Sequence, residues 1–111
     1  MILTFNNGYP DYIGYRQAFV GNGTGPASYV TGGDPTTLQN SRRLIDIIFP
    51  ALTPSGNYFL VPYPAAVGER QAWTVKWLYA KSSLGTLFSE VTSGTNLSAE
   101  TPEMAGFCGQ Y

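Results

Sequence analysis

The sequence has 111 residues, with 6 basic and 7 acidic side chains, one cysteine, no histidine and a formal net charge of −1. Histidine is the commonest acid–base residue and metal ligand, and nucleic acids are bound by clustered lysine and arginine, so this composition argues against the usual catalytic arrangements and against a nucleic-acid partner. The length predicts one domain, and the lack of a long apolar run and of a secretory pattern at the first residues predicts a soluble protein made in a cytoplasm, without a membrane partner.

Charged residues are scarce in this chain. They make up 12% of it, against about 25% in average proteins. Two explanations remain open: the surface is covered by neutral polar side chains, or part of it is an interface, because interfaces are depleted in charge and enriched in aromatic residues.

Short aromatic and β-branched runs, separated by glycine and proline, predict six to eight strands. The predicted fold is all-β: a single small antiparallel β-sandwich, jelly roll or barrel with long Gly/Pro/Ser-rich loops. We expect one domain over residues 1–111, with an extended N-terminal arm at residues 1–11 and a C-terminal tail at residues 98–111.

The first half of the chain gives two predicted strands. Residues 12–20 form one candidate, with aromatic side chains on both of its faces. Residues 43–49 form the other, which we expect to be buried on both sides, with Asp46 in need of a partner. Between them, a short helix beginning at Asp34 is an alternative, but its polar residues would fall on the apolar face, so a loop is preferred.

The second half contains the clearest strand, residues 71–80, in which every second residue from Trp73 to Tyr79 is expected to face the core. A turn at residues 54–57 precedes a strand at 57–62, and we expect these to form a hairpin with the run that starts near Ile45. Weaker strands are predicted at 84–92 and 104–108. Residues 20–40 and 82–102 are predicted to be long loops that reach neighbouring molecules.

No motif gives a catalytic or metal site. The glycine-rich residues 21–25 are followed by a strand-like run rather than a helix, which disfavours a phosphate-binding loop. Cys108 has no histidine to act as its base, so we interpret it as a packing residue. The carboxylates are scattered, and a hydrolase that uses a pair of them is the weakest hypothesis.

Several segments together resemble the small virion proteins that decorate or cement the capsids of tailed bacteriophages: residues 72–77, 89–98 and 109–111. The resemblance implies a β-rich protein that binds the outside of the capsid shell between major capsid proteins, often as a trimer, and strengthens the head. It implies no catalytic residue.

We therefore expect a non-enzymatic structural protein of the virion, located on the capsid surface, with the major capsid protein as its partner, a homo-oligomeric state in which a trimer is favoured, and no cofactor or metal. The alternative is a carbohydrate-binding β-module of a tail fibre, with Tyr12, Tyr63 or Tyr79 as exposed coplanar aromatics. The candidate interface residues are Phe5, Tyr9, Tyr12, Tyr15, Tyr29, Tyr63, Leu97 and Tyr111.

Overall fold

The aromatic and β-branched runs form strands. A computed structural model describes residues 1–5, 11–13, 16–39, 44–65, 72–80 and 88–109, with the backbone alone at 11–13 and 16. In these ranges the strands are β1 (Ile2–Phe5), β2 (Asp11–Ile13), β3 (Arg16–Asn22), β4 (Asp34–Leu38), β5 (Leu44–Ile48), β6 (Ala51–Leu52), β7 (Tyr58–Pro64), β8 (Trp73–Ala80), β9 (Phe88–Glu90) and β10 (Glu103–Gly109). The described part of the chain contains no helix, which confirms the all-β prediction.

One curled, mixed sheet joins the strands into a half-barrel. The order across the sheet is β5, β10, β3, β1, β4, β8, β7, β6, while β2 also pairs with β3 and β9 with β8. The pairs between described strands are antiparallel, except that β1 and β4 run parallel. The predicted antiparallel architecture therefore holds apart from this one central pair.

The core lies on the inner face of the sheet, where alternate side chains of each strand point. On β8, Trp73, Val75 and Trp77 are buried as predicted, and Tyr79 is half-buried. The buried apolar residues are Leu3, Phe5, Phe19, Tyr29, Leu38, Ile45, Ile48, Leu60, Trp73, Val75, Trp77, Val91, Leu97, Met104 and Cys108.

The prediction of one strand over residues 12–20 is wrong, because the segment contains two strands. Tyr12 pairs with Gln17 and Ile13 with Arg16, so β2 and β3 are antiparallel neighbours separated by two residues. Two residues is the commonest connection length in a β-hairpin, and it is too short to interrupt an apolar pattern visibly.

Residues 34–38 form a strand rather than the predicted loop or the alternative helix. β4 lies between β1 and β8, and its inward side chains Asp34, Thr36 and Leu38 are buried. Partners on both sides satisfy the backbone of this segment, so its low apolar content does not prevent it from forming a strand.

The strand β5 is buried on one side, not on both as predicted. Ile45 and Ile48 are buried, whereas Ile47 is 38% exposed. The pairing with β10 skips Asp46. This β-bulge places Ile45 and Ile48 on the same face, although they are three positions apart. The plain alternation assumed from the sequence fails at that point.

The turn at residues 54–57 is confirmed, since Gly56 has a φ of +76° and its N–H donates to the carbonyl of Thr53 at 2.8 Å. The strand β7 pairs with β6 and β8, not with the run near Ile45. The expected N-terminal arm contains β1, which lies between β3 and β4, and the expected C-terminal tail contains β10, which lies between β5 and β3.

Candidate functional site

The outer face of the sheet carries two groups of exposed and half-buried apolar side chains, one near each end. Strand alternation directs those of these residues that lie in strands away from the core. We call them the Phe107 patch, formed by Ala18, Ile47, Phe49 and Phe107, and the Phe88 patch, formed by Leu52, Phe59, Leu78 and Phe88.

The Phe107 patch lies across β3, β10 and β5. Phe107 is paired with Ala18 on one side and with Ile47 on the other, so the three side chains form a row across the strands. The ring of Phe49 meets that of Phe107 edge to face, with centroids 5.9 Å apart and an interplanar angle of 83°. Phe49 remains 42% exposed.

The Phe88 patch lies across β6 to β9. Phe59 is paired with Leu52 and with Leu78, and its ring lies 5.7 Å from that of Phe88. Leu52 is 62% exposed and Phe88 48%. Single exposed apolar residues are ordinary, but contiguous apolar groups on a surface mark binding sites for proteins or other ligands.

A hydrogen-bonded network organises the edge of β8 beside the Phe88 patch. β4 and β9 share this edge of β8, and the Trp77 N–H lies between them, where no strand supplies an acceptor. The Tyr29 hydroxyl accepts from that N–H at 3.2 Å and donates to Glu90 Oε2 at 2.7 Å. The Gly32 N–H donates to the same carboxylate oxygen at 2.7 Å.

The electrostatics of the network follow from these contacts. The hydrogen bonds from Tyr29 and Gly32 hold the pKa of Glu90 below its ordinary value. Burial raises the pKa of the Tyr29 hydroxyl, and its hydrogen bond to Glu90 adds to the rise. Glu90 is therefore a fixed carboxylate acceptor and Tyr29 a fixed neutral donor, an arrangement that positions a loop.

The two loops that were predicted to reach other molecules bind each other. Backbone hydrogen bonds join Gly23 to Pro102, Gly25 to Glu100 and Tyr29 to Thr95, at 2.9, 3.0 and 2.9 Å. An added Cβ at Gly25 would lie 2.1 Å from the carbonyl oxygen of Leu97, so the contact requires glycine there. In their described parts these loops close one side of the domain and are not free arms.

The predicted interface residues are dispersed in the structure. Phe5, Tyr29 and Leu97 are buried in the core, so their side chains are not on a contact surface. Tyr63 is half-buried on the outer face, and its hydroxyl donates to the Gly32 carbonyl. Tyr12 belongs to β2, where the backbone alone is described, and Tyr9, Tyr15 and Tyr111 lie outside the described residues.

Tyr63 and Tyr79, two of the three tyrosines named for the glycan alternative, do not share a face of the sheet. Tyr63 pairs with Thr74 on the outer face, whereas Tyr79 follows Trp77 on the inner face, and Tyr12 pairs with Gln17 in the other half of the sheet. Alternation along β7 and β8 separates the first two.

The chemically reactive groups are dispersed as well. Within the described ranges, no three His, Cys, Asp or Glu side chains come together as a candidate metal site. Cys108 is buried, with its Sγ 3.8 Å from the Gln17 Oε1. Glu100 accepts a hydrogen bond from the Ser55 hydroxyl, and Asp34 lies 3.3 Å from the Met1 nitrogen.

The described residues hold no helix with the length and apolar character needed to span a bilayer. No protein family, curated protein or solved structure matches this chain.

The phenylalanines of the outer patches were missed by sequence reasoning. The sequence pattern that could have identified them is a pair of apolar residues at consecutive strand positions, such as Phe107 and Cys108 or Phe59 and Leu60. Because consecutive side chains point to opposite faces of a sheet, one member of each pair lies outside the core. Most of the predicted interface residues are tyrosines, and the buried Tyr29 serves the fold through its bonds to Trp77 and Glu90.

Proposed function

We propose that the protein is a non-catalytic structural protein of a virion that binds the outer surface of a phage capsid and stabilises it through non-covalent contacts with the major capsid protein. The observation that carries the proposal is the presence of two exposed aromatic patches, the Phe107 patch and the Phe88 patch, near opposite ends of one outer face.

The patches have the chemistry of a protein contact. Their phenylalanines and aliphatic side chains bury large apolar areas when a partner covers them, at roughly 25 cal/mol per Å². The chain as a whole has few charges to repel or misalign a partner, in keeping with the charge depletion of interface cores.

The placement of the patches suits a protein that reinforces a shell. The domain is elongated, with extents of 45 × 29 × 26 Å, and the strands that carry the patches lie near the two ends of the sheet order. Two separate contacts on one rigid domain bind a repeating surface more tightly than either contact alone, because the second contact forms at a high effective concentration.

The test is cosedimentation of the full chain with capsids assembled from the cognate major capsid protein. We expect saturable binding by the wild-type chain, and at least tenfold weaker binding by Phe88→Ser and by Phe107→Ser. Val30→Ser is the matched control, because Val30 is 64% exposed and belongs to neither patch. A wild-type chain that stays in the supernatant with both immature and mature capsids refutes the proposal, as does equal binding by all three variants.

A further inference from the structure

The inner face of the sheet has a small pocket at the β8 end, away from both outer patches. It has a volume of about 310 Å³ and is lined by Asn57, Tyr58, Tyr79, Val91, Thr92 and Thr95. This volume is at the lower end of the range for small-molecule sites, about 300–1,000 Å³.

Two tyrosine rings form the walls of the pocket. Tyr58 and Tyr79 are directly paired between β7 and β8, so their side chains project side by side from the inner face. The Tyr58 ring packs edge to face on the fully buried Trp77, with centroids 5.7 Å apart. This contact fixes the orientation of the ring, and the buried Val91 adds an apolar surface beside it.

The polar groups of the pocket are neutral, and most of them are available to form hydrogen bonds with a ligand. The Thr95 hydroxyl donates to the Thr92 carbonyl at 2.7 Å and keeps its acceptor capacity. Among the described residues, the hydroxyls of Tyr58, Tyr79 and Thr92 and the side-chain amide of Asn57 make no hydrogen bond. None of the lining residues that the structure describes is charged.

This combination selects one class of ligand. An anion would find no cation among the described lining residues, and a purely apolar molecule would leave the side chains of Asn57, Tyr58, Tyr79 and Thr92 without hydrogen-bond partners. A neutral saccharide satisfies both parts of the lining, because its C–H faces pack on aromatic rings while its hydroxyls exchange hydrogen bonds with amide and hydroxyl groups.

We propose that this pocket is a binding site for a neutral mono- or disaccharide unit, stacked on Tyr79 and Tyr58 and hydrogen-bonded by Asn57, Thr92 and Thr95. The site is independent of the outer face, so saccharide binding and capsid binding can each be lost without the other.

The experiment is titration of the isotopically labelled full chain with neutral oligosaccharides of glucose, galactose, mannose and N-acetylglucosamine, followed by NMR. We expect at least one of them to bind with a Kd of about millimolar, as is ordinary for one small site, and to shift the Asn57 side-chain amide and the Tyr58 and Tyr79 rings. A sialylated oligosaccharide is the charged comparison and is expected not to bind.

Two variants test the site itself. Tyr79→Leu removes a stacking ring and should weaken binding at least tenfold, while Tyr63→Leu removes a tyrosine from the opposite face of the same strand pair and should leave binding unchanged. Thr92→Val alters an exposed hydroxyl at nearly constant volume, should weaken binding about threefold, and keeps the test valid if Tyr79→Leu does not fold. No shift with any neutral oligosaccharide, tighter binding of the sialylated one, or full binding by the Tyr79 and Thr92 variants would overturn the proposal.

Discussion

The two ends of the sheet both bury apolar residues, but they are held together in different ways. At the β8 end, side chains join loops to strands: Tyr29 bonds to Glu90 and Trp77, and Tyr63 to Gly32. At the β5 end, the described contacts include the pairing of β5, β10 and β3, the close packing around Gly106 and the contact of the Cys108 Sγ with the Gln17 Oε1. The described contacts of the first end therefore include a carboxylate whose pKa is shifted, whereas those of the second include a close steric fit of backbone on backbone.

The largest loss of stability is expected at the β5 end, from Gly106→Ala. An added Cβ would lie 2.1 Å from the carbonyl oxygen of Ile47, and backbone cannot move aside as a side chain can. We expect the free energy of unfolding to fall by about 3 kcal/mol, at the upper end of the cost of overpacking, as measured by urea denaturation.

Gly56→Ala is the control for this substitution. Gly56 has nothing within 4 Å of the added Cβ, but its φ is +76°, so the substitution should cost about 1 kcal/mol through backbone strain alone. If the two variants lose the same stability, steric fit does not dominate at the β5 end.

The second-largest loss of stability is expected at the β8 end, from Tyr29→Phe. The substitution leaves the Trp77 N–H inside the protein without its acceptor and removes a donor from Glu90, so unfolding should become easier by about 2 kcal/mol. Hydrogen exchange of the Trp77 amide should accelerate in parallel. Tyr63→Phe removes a hydroxyl whose bond to Gly32 is exposed, and it should cost less than about 1 kcal/mol. If Tyr29→Phe and Tyr63→Phe lose the same stability, the buried hydrogen bond from the Trp77 N–H to Tyr29 stabilises the fold no more than the exposed bond to Gly32 does.

The stability of the β8 end should also depend on pH. The pKa of Glu90 is lowered in the folded protein, so its contribution to stability is complete above its unfolded-state pKa and is lost as the pH falls through the folded value. Thermal melting between about pH 6 and pH 3 should show a steeper decline for the wild type than for Glu90→Gln. The pKa of Tyr29 is raised, so stability should also decline as the pH rises above about 10, the ordinary tyrosine value. Identical acid slopes for the two proteins would contradict the assigned role of Glu90.

The smallest effect on stability is expected from the outer patches, at both ends alike. Phe88→Ser and Phe107→Ser alter side chains outside the core, so each should change the free energy of unfolding by less than about 1 kcal/mol. The measurement is urea denaturation of each variant beside the wild type. A loss as large as that of Gly106→Ala would identify the phenylalanine as a structural residue and weaken its assignment to a contact surface.

Strands with simple alternation were predictable from the sequence, and strands placed by distant partners were not. Trp73, Val75 and Trp77 alternate with less apolar residues, so β8 and its core face follow directly. Nothing local in residues 34–38 indicates that β1 and β8 flank them, and the bulge at Asp46 depends on the register with β10. Long-range pairing of this kind is set by the whole fold, not by a window of residues.

The candidate sites were harder to predict for a related reason. Phe59 and Leu60 are equally apolar neighbours, and only the register with β8 determines which of them faces solvent. Asn57, Thr92 and Thr95 are ordinary turn and loop residues until the chain brings them beside Tyr79. The low charge and many aromatic residues of the sequence predicted an interface on a β-rich protein, but they did not predict which residues would form it.

The positions of β1 and β10 in the sheet have a consequence for the biogenesis of the protein. β1 is flanked by β3 and β4, and β10 by β5 and β3, so the sheet cannot close until residue 109 has left the ribosome. Pairings between such distant segments form slowly, and until then the unpaired strands and the aromatic side chains are exposed to other nascent chains. Synthesis and the closing of the sheet are therefore separated in time, and aggregation competes with folding during that interval.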